Sequence, residues 1–560
     1  MKKLSPILYL GVFSCIIGCQ NQKQESNLEL QSLDLLRGDI VLCSGEQFGE
    51  VSFSLSCKYS VRETFDLAVS LLHSFEYDEA EKAFVKVIDA DPDCAMAYWG
   101  VAMTIYHALW AAPKEKDLIK GSKIIEIAEA IPKSIREQEY LDAISVFYKD
   151  WDKIDHSSRE LAYQKKMENI HKKYPDDSEA AIFYALALNS TANPADKQYQ
   201  NQQKAGQILE SIFPNQPNHP GIAHYIIHNY DNPILAHLAL PTARKYADIA
   251  PSSAHAQHMP SHIFTRLGLW DESIQSNLNS ASSAICYAEE NLMEGHWSKE
   301  VHALAYLVYA YLQKGDNVKA MEQYEYIKTM NIVSPNWDHR AAAYPFAAIP
   351  ARIALENKRW PKAAKLTLHS SNIQWDEFPW EKAIIHFARI LGCANTGDLQ
   401  VAEKELVILQ SLHQQLLDKE EQYKADQVLI QLKASQAWIQ LAKDKTEEAL
   451  ILMQEAASLE DKTEKHPVTP GEVLPAKELL GDLLLSLNQP SQALEAYEMN
   501  LKRNPNRFNG IYGAAIAAKD MGDKEKARLY FEKLLNLAKS SHSDRSELKE
   551  ARAFIGQPES

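Results

Sequence analysis

A spacing of 34 residues recurs along this chain and limits what it can fold into. In "AVSLLHSFEYDEAEKAFVKVIDADPDCAMAYWGVA", Ala68, Tyr77, Ala80, Phe84, Val87 and Pro92 hold fixed offsets, and Ala102 reopens the pattern 34 residues after Ala68. Near the C-terminus, Gly481, Ala493, Tyr497 and Pro505 form one unit, and Ala515, Gly522, Ala527, Phe531 and Leu534 form the next, again 34 on. Further units contain Val308, Gly315, Ala320 and Tyr324; Gly397, Ala402 and Leu406; Ala437, Ala449 and Met453; and, more weakly, Ala351, Trp360 and Ala363. A small residue on one helix lets an antiparallel partner approach closely, a large one opposite fills the groove, and a proline stops the second helix. One such pair cannot bury its apolar face alone, so neighbouring pairs must stack.

These offsets resemble those of a tetratricopeptide (TPR) repeat. They predict an all-α, TPR-like α-solenoid of stacked antiparallel helix pairs, with a short β-like N-terminal segment. The solenoid is expected over 61–459 and a C-terminal repeat block over 476–560. A Pro-containing break, "EDKTEKHPVTPGEVLP" (460–475), separates them. A polar insertion, "NSTANPADKQYQNQQ" (189–203), interrupts the middle.

Residues 1–18 read as a lipoprotein signal peptide. Lys2 and Lys3 precede an apolar stretch, Ile7 to Ile17, that is too short to span a bilayer. It ends in Ile16-Ile17-Gly18-Cys19, which resembles a lipobox and implies cleavage before Cys19 and lipidation of its thiol. Gln20 rather than Asp follows, which points to an outer-membrane anchor in the cell envelope, on either face. Residues 19–60 then form a polar tether and a Cys-containing, β-like stretch. An oxidising envelope permits disulfides, and Cys43 and Cys57, flanking "SGEQFGEVSFSLS", are the expected pair. Past the lipidation site the cysteine count is odd, so at least one thiol stays free unless it pairs with another chain. The formal net charge of −16 disfavours nucleic acid and anionic membrane surfaces.

Nine of the 19 histidines fall between His219 and His302, where even spreading would place about three. His224 and His228 lie one helical turn apart in "IAHYIIHNYD", and His258 and His262 repeat that spacing in "AHAQHMPSHIFTRLGLWDES". These four are the candidate metal ligands, with His255, His302, His73 and His107 as weaker ones. Asp231, Asn229, Tyr225 and Glu300 could orient the rings. In the repeat frame "AHAQHMPSHIFTRL" is a first helix, interrupted by Pro260 at a cost of about 3 kcal/mol in an ordinary helix. Its partner helix carries Ser273, Asn277 and Ser280 where Ala, Phe and Ala are usual. A repeat that breaks its own packing rules is a candidate site. Imidazole-only ligation suits zinc or copper. Tyr225 and Met259, not Glu, follow the first His of each pair, which disfavours a zinc protease of the H-E-x-x-H type. The competing reading is a buried polar network that sets the curvature of the solenoid. Isolated histidines such as His171, His339, His369, His386, His413 and His542 read as packed or capping residues.

"LLHSFEYDEAEKAF", "DPDCAMAYWG", "HPGIAHYIIHNYD", "AHAQHMPSHIFTRLGLWDES" and "HPVTPGEVLPAKELLGD" resemble a widespread group of bacterial TPR lipoproteins carrying an HMPSHIF-type motif. The resemblance implies one continuous repeat architecture and brings no reaction with it. Three functions fit the sequence. The first is a membrane-anchored scaffold that binds a protein, peptide or small ligand and has a His-rich central site (219–302). The second is a metal-binding protein or metalloenzyme using the paired histidines. The third is an accessory lipoprotein of nutrient uptake. No Gly-x-Ser-x-Gly elbow or Gly-rich phosphate loop is present, which disfavours a serine hydrolase or a nucleotide-binding protein.

Overall fold

The computed structural model describes residues 33–43, 47–109, 112–335 and 339–556. Cys19 and the signal peptide lie outside the described residues, as does Trp110. The chain divides into two compact units. One comprises 33–40, 48–192 and 199–225; the other comprises 226–556 with the short segments 41–47 and 193–198. The division falls inside the helix Pro220–Tyr230, after Tyr225.

The N-terminal unit is built from helix pairs. Arg62–His73 packs on Tyr77–Ala90, Ala95–Tyr106 on Glu115–Glu129, Ile135–Tyr148 on His156–Lys173, and Ser178–Ser190 on Gln200–Ile212. The residues at repeat offsets, Ala68, Ala80, Phe84 and Val87, are buried. Gly100 shows why a small residue is required there: a Cβ would lie 2.3 Å from the Phe84 ring.

The segment before the first helix departs from expectation twice. It forms no strand among its described residues. The backbone N–H groups of Phe53, Ser56 and Lys58 donate instead to the side-chain carboxylates of Asp66, Glu137 and Asp91, at 2.8 to 2.9 Å. Carboxylates thus replace a ladder partner, and Phe53 is buried against Phe65, Trp99 and Tyr140. The expected Cys43–Cys57 disulfide is also corrected: Cys43 bonds Cys286, and Cys57 bonds Cys94. Cys286 lies on the helix Trp270–Glu290 and Cys94 caps Ala95–Tyr106, so each cysteine is bridged to a helix that packing places beside it and not to its neighbour in sequence. Cys393 remains a buried thiol.

The C-terminal unit continues the pattern. Ser298–Gln313 packs on Asn317–Ile327, Pro379–Thr396 on Leu399–Asp418, Gln422–Ala442 on Thr446–Lys462, Ala476–Ser486 on Pro490–Arg503, and Phe508–Asp520 on Lys524–Leu537. Tyr497 is clasped by two glycines, since a Cβ on Gly481 or Gly513 would lie 2.6 or 2.3 Å from its ring. The only strands among the described residues are His296–Trp297 and Val333–Ser334, paired in parallel.

The break after Thr446–Lys462 is not a surface linker. Lys465, Thr469 and Gly471 are buried. Carbonyl oxygens of Thr469 and Gly471 accept from Tyr306 Oη at 2.9 Å and Arg352 Nη2 at 2.5 Å. Glu460 holds the next helix, both its oxygens accepting from the Ala476 N–H at 3.0 and 2.9 Å. Burial, reinforced by Glu472, pushes the Glu460 carboxyl up to about 8 from 4.5. Its folded value exceeds its unfolded one, so its stabilisation is complete below about pH 4.5 and is lost as pH rises toward 8. Glu460→Gln keeps an acceptor without the charge. The variant is expected to match the parent at pH 4 and to be about 1–3 kcal/mol more stable at pH 8 in urea unfolding.

Candidate metal centre

The repeat that breaks its own rules holds the centre of the C-terminal unit. The expected first helix is split into Ala254–His258 and Pro260–Leu267. Proline lacks the N–H that would continue the ladder. The second helix, Trp270–Glu290, bonds to the split helix through the residues that looked out of place. Ser280 Oγ donates to the Ala254 carbonyl at 2.8 Å, and Ser276 Oγ to the Gln257 carbonyl at 2.5 Å. Ser273 Oγ lies 3.3 Å from Thr265 Oγ1. Asn277 Nδ2 donates to the Ser273 carbonyl at 2.7 Å, which turns Asn277 Oδ1 toward His258 Nδ1, 2.7 Å away. Gly268 ends the pair in the left-handed region (φ 66°), and a Cβ there would meet the Pro505 carbonyl at 2.5 Å.

His258, His262 and His302 converge, with one ring nitrogen of each within 4.8 Å of the others. Tyr306 packs against all three rings. The tautomers follow from the partners. His258 Nδ1 faces an amide oxygen, and His262 Nδ1 faces Asp231 Oδ2 at 2.9 Å. Both Nδ1 atoms therefore carry hydrogen and donate. That leaves the two Nε2 atoms as lone pairs, and they face one another at 3.0 Å. Two lone pairs this close need a cation between them, either a proton or a metal ion.

A proton is disfavoured. Burial, then the neighbouring His302 and His262, hold His258 well below the usual histidine range. Burial also lowers His262, despite Asp231. Burial, with His262 and Lys465, takes His302 down to about 3. Neutral imidazole is the ligating form. Two nitrogens bound to one ion at about 2.0–2.1 Å stand roughly 3–3.5 Å apart, close to the spacing here. His302 Nδ1 is buried and has no hydrogen-bond partner among the described residues.

Asp231 anchors the surroundings. It accepts from His262, from Arg266 Nε at 2.8 Å and from Lys465 Nζ at 3.0 Å. Burial opposes its ionisation, but Lys465, Arg266 and His262 override it and hold the carboxyl well below the usual range. Burial likewise lowers Lys465 to about 8, with Asp231 pulling the other way. Arg266 and Lys465 were not among the expected residues. A lone charge in a loop, such as Lys465, carries no periodic signal.

The other candidates are placed as follows. His228 and His255 belong to the same unit as the trio, their rings 6.2 Å apart and near parallel; burial lowers His228 to about 3. In the N-terminal unit, His224 Nδ1 donates to the His73 carbonyl at 2.6 Å. His107 is left-handed (φ 48°) and packs against Tyr77. His73 belongs to a second buried group, and bond counting separates it from the first. His73 Nε2 and His219 Nε2 each lie 2.9 Å from one oxygen of Glu179. His73 Nδ1 pairs with Tyr225 Oη at 3.0 Å, and His219 Nδ1 accepts from the Ile222 N–H at 3.4 Å. Every ring nitrogen is matched, so this group needs no ion; it is a polar network in which a Cβ on Gly221 would lie 2.6 Å from His73. Of the expected orienting residues, Asp231 takes that role on His262, whereas Glu300 bonds His296 at 2.9 Å.

Residues 511–541 match the tetratricopeptide-repeat family model. No curated protein matches the chain. Among solved structures, the APC/C hetero-tetramer Cut9–Hcn1 aligns at 12% identity over 88% of this chain and 90% of that one, with a TM-score of 0.30. The human IFIT1 dimer with PPP-AAAA aligns at 13% over 84% and 89%, with a TM-score of 0.33. The chain is an all-α, TPR-like solenoid, and its repeats support a protein-interaction scaffold. None of its described helices is long and apolar enough to cross a membrane.

Proposed function

We propose that this protein is an envelope-anchored TPR scaffold built around a transition-metal centre, with His258, His262 and His302 as ligands. The observation that carries the reading is the pair of Nε2 atoms facing one another at 3.0 Å while both Nδ1 atoms are committed as donors. Asp231 and Asn277 fix the tautomers and aim the lone pairs, as carboxylates and amides do behind metal-bound histidines. Imidazole ligation suits zinc or copper. Three protein ligands leave the fourth position of a tetrahedral ion to water or a small ligand. The repeats supply the surface for a protein or peptide partner. The envelope location is supported by the Ile16-Ile17-Gly18-Cys19 pattern and by two disulfides, which persist in oxidising compartments.

The test is the metal content of the full chain, purified in detergent without a polyhistidine tag. One ion per chain held by the trio in the parent, absent from a folded His258→Ala/His262→Ala variant, is the expected result. No bound zinc or copper after reconstitution would sink the reading and leave a polar core. Asp231→Asn keeps the shape but removes the charge behind His262. Metal affinity is expected to fall about 10–100-fold, measured by chelator competition.

A further inference from the structure

A small cavity in the C-terminal unit carries more positive charge than its carboxylates offset. We infer that it binds a single monatomic anion, chloride in solution, held by Arg266, Lys465 and Arg503. The inference is independent of the reading of the trio.

Charge supplies the first part. The three cations line the cavity with one carboxylate, Glu472. Asp231 is bonded to Arg266 and Lys465 together, at 2.8 and 3.0 Å, so one acid serves two cations. Arg503 stands 3.6 Å from Glu472, and its Nη1 and Nη2 donate to the backbone carbonyls of Glu460 and Thr463. Glu464 lies 3.9 Å from Arg503 but is bonded at 3.0 Å to Lys197, which matches it. The Glu460 carboxyl, pushed up to about 8 by burial, adds little negative charge at neutral pH. Three cations thus face two acids. Leaving one buried cation unmatched is costly, and one monovalent anion removes that cost. Lys465 shows the shortfall: burial, with Arg266 adding to it, lowers its ammonium to about 8 although Asp231 opposes.

Donors and size supply the second part. Asp231 takes Nε and Nη2 of Arg266 and one N–H of Lys465. Arg266 Nη1 and the other ammonium hydrogens of Lys465 have no hydrogen-bond partner among the described residues. Tyr309 Oη accepts from Arg507 Nη1 at 3.0 Å, so its own hydrogen is available to donate, and Thr265 brings a second hydroxyl to the lining. The cavity volume, about 10 Å³, is on the scale of one water molecule. Phosphate, sulfate or a carboxylate-bearing ligand is too large for it. A halide is one atom, and it takes N–H and O–H donors from any direction.

The experiment measures the urea midpoint of the full chain in detergent as sodium chloride replaces sodium gluconate at constant ionic strength. The midpoint is expected to rise with the logarithm of the chloride concentration, as for a ligand held only by the folded state. Bromide should act as chloride does, and acetate as gluconate does. Arg503→Gln leaves two cations facing two acids and should lose the dependence, whereas Arg503→Lys restores the charge and should keep it. Lys465→Met serves as the neutralising variant if Arg503→Gln does not fold. The His258→Ala/His262→Ala variant should keep the dependence. A parent midpoint indifferent to chloride would overturn the site, and so would a dependence that survives neutralisation of Arg503 or Lys465. Loss in Arg503→Lys as well would make Arg503 a structural residue and overturn its role as an anion ligand. Loss in the histidine variant would put the ion on the trio instead. Equal stabilisation by acetate would overturn the single-atom guest.

Discussion

Arg507→Met is expected to cost the C-terminal unit about 3–5 kcal/mol, read as a fall in the urea midpoint. Arg507 is fully buried. Its Nε and Nη2 donate to the two oxygens of Glu478 at 2.9 Å, and Nη2 also to Glu356 at 2.8 Å. Nη1 donates to Tyr309 Oη at 3.0 Å. Both carboxylates are buried as well, and Gln313 and Asn509 donate further to Glu356 at 2.8 Å. Removing the cation strands two acids in a low-dielectric interior, which costs more than the lost bonds alone. Burial already raises Glu478 above its usual value even with Arg507 beside it. In the variant that carboxyl rises further and takes a proton to relieve the strain. The deficit is therefore greatest at neutral pH and shrinks as pH falls toward the unfolded carboxylate value of about 4.3. Arg507→Met combined with Glu356→Gln and Glu478→Gln should recover much of the loss. A deficit that stays flat from pH 8 to pH 4 would mean lost packing, not stranded charge.

This network also bears on how the repeats cooperate. An ideal solenoid contacts only its neighbours and melts piecewise. Here Arg507 joins the Ala476–Ser486 helix to Glu356, more than 100 residues earlier in sequence. Trp270 Nε1 donates to the Asn506 carbonyl at 2.8 Å, and Asn506 Nδ2 to the Gly268 carbonyl at 3.1 Å. The C-terminal repeats are thus bonded directly to the turn that ends the histidine-bearing helix.

The helix pairs were legible because burial at a fixed offset leaves a periodic trace: Ala68, Phe84, Ala515 and Phe531 are where the spacing placed them. His258 and His262 were legible as a pair, and Ser273, Asn277 and Ser280 as a departure. What the departure does was not. Asn277 matters because its amide is turned by the Ser273 carbonyl, and Ser280 because its hydroxyl bonds the Ala254 carbonyl across the pair. Those bonds depend on how the two helices sit against each other, which no residue spacing records. The choice between the trio and the Glu179 network was equally hidden. Both are histidines near a carboxylate, and only the partner of each nitrogen separates them. Lys465 entered from a stretch that reads as a linker, with a charge that looks like any surface lysine. The disulfides failed for a related reason. Cys43 and Cys57 are close in sequence, but closeness in sequence does not set the distance between Cβ atoms.

Cys43→Ser/Cys286→Ser is expected to cost about 3–5 kcal/mol, because the bridge closes a loop spanning 243 residues and removes much of the unfolded chain's freedom. Loop entropy alone would place the effect near the upper end of that range; measured bridges usually deliver less, since the open chain keeps some structure. The position makes the effect informative. Cys286 sits on Trp270–Glu290, the helix that carries Asn277, Ser276 and Ser280. Beside the bridge, the Ser252 N–H donates to the Gln47 carbonyl at 3.3 Å, and the Gln47 N–H to Ser252 Oγ at 3.1 Å, just before the Ala254–His258 helix begins. Cys43 is therefore fastened to the second helix of the split pair and Gln47 to the residue just before the first. If the bridge acts only through the unfolded chain, the serine variant should lose stability and keep its metal affinity. If it also holds the two helices in register, His258 and His262 should bind the ion more weakly, and metal should restore part of the lost stability in proportion to the logarithm of its concentration. Urea unfolding of the variant with and without zinc or copper separates the two. A variant as stable as the parent would mean that the packing of the Trp270–Glu290 helix, not the covalent bond, fixes this end of the site.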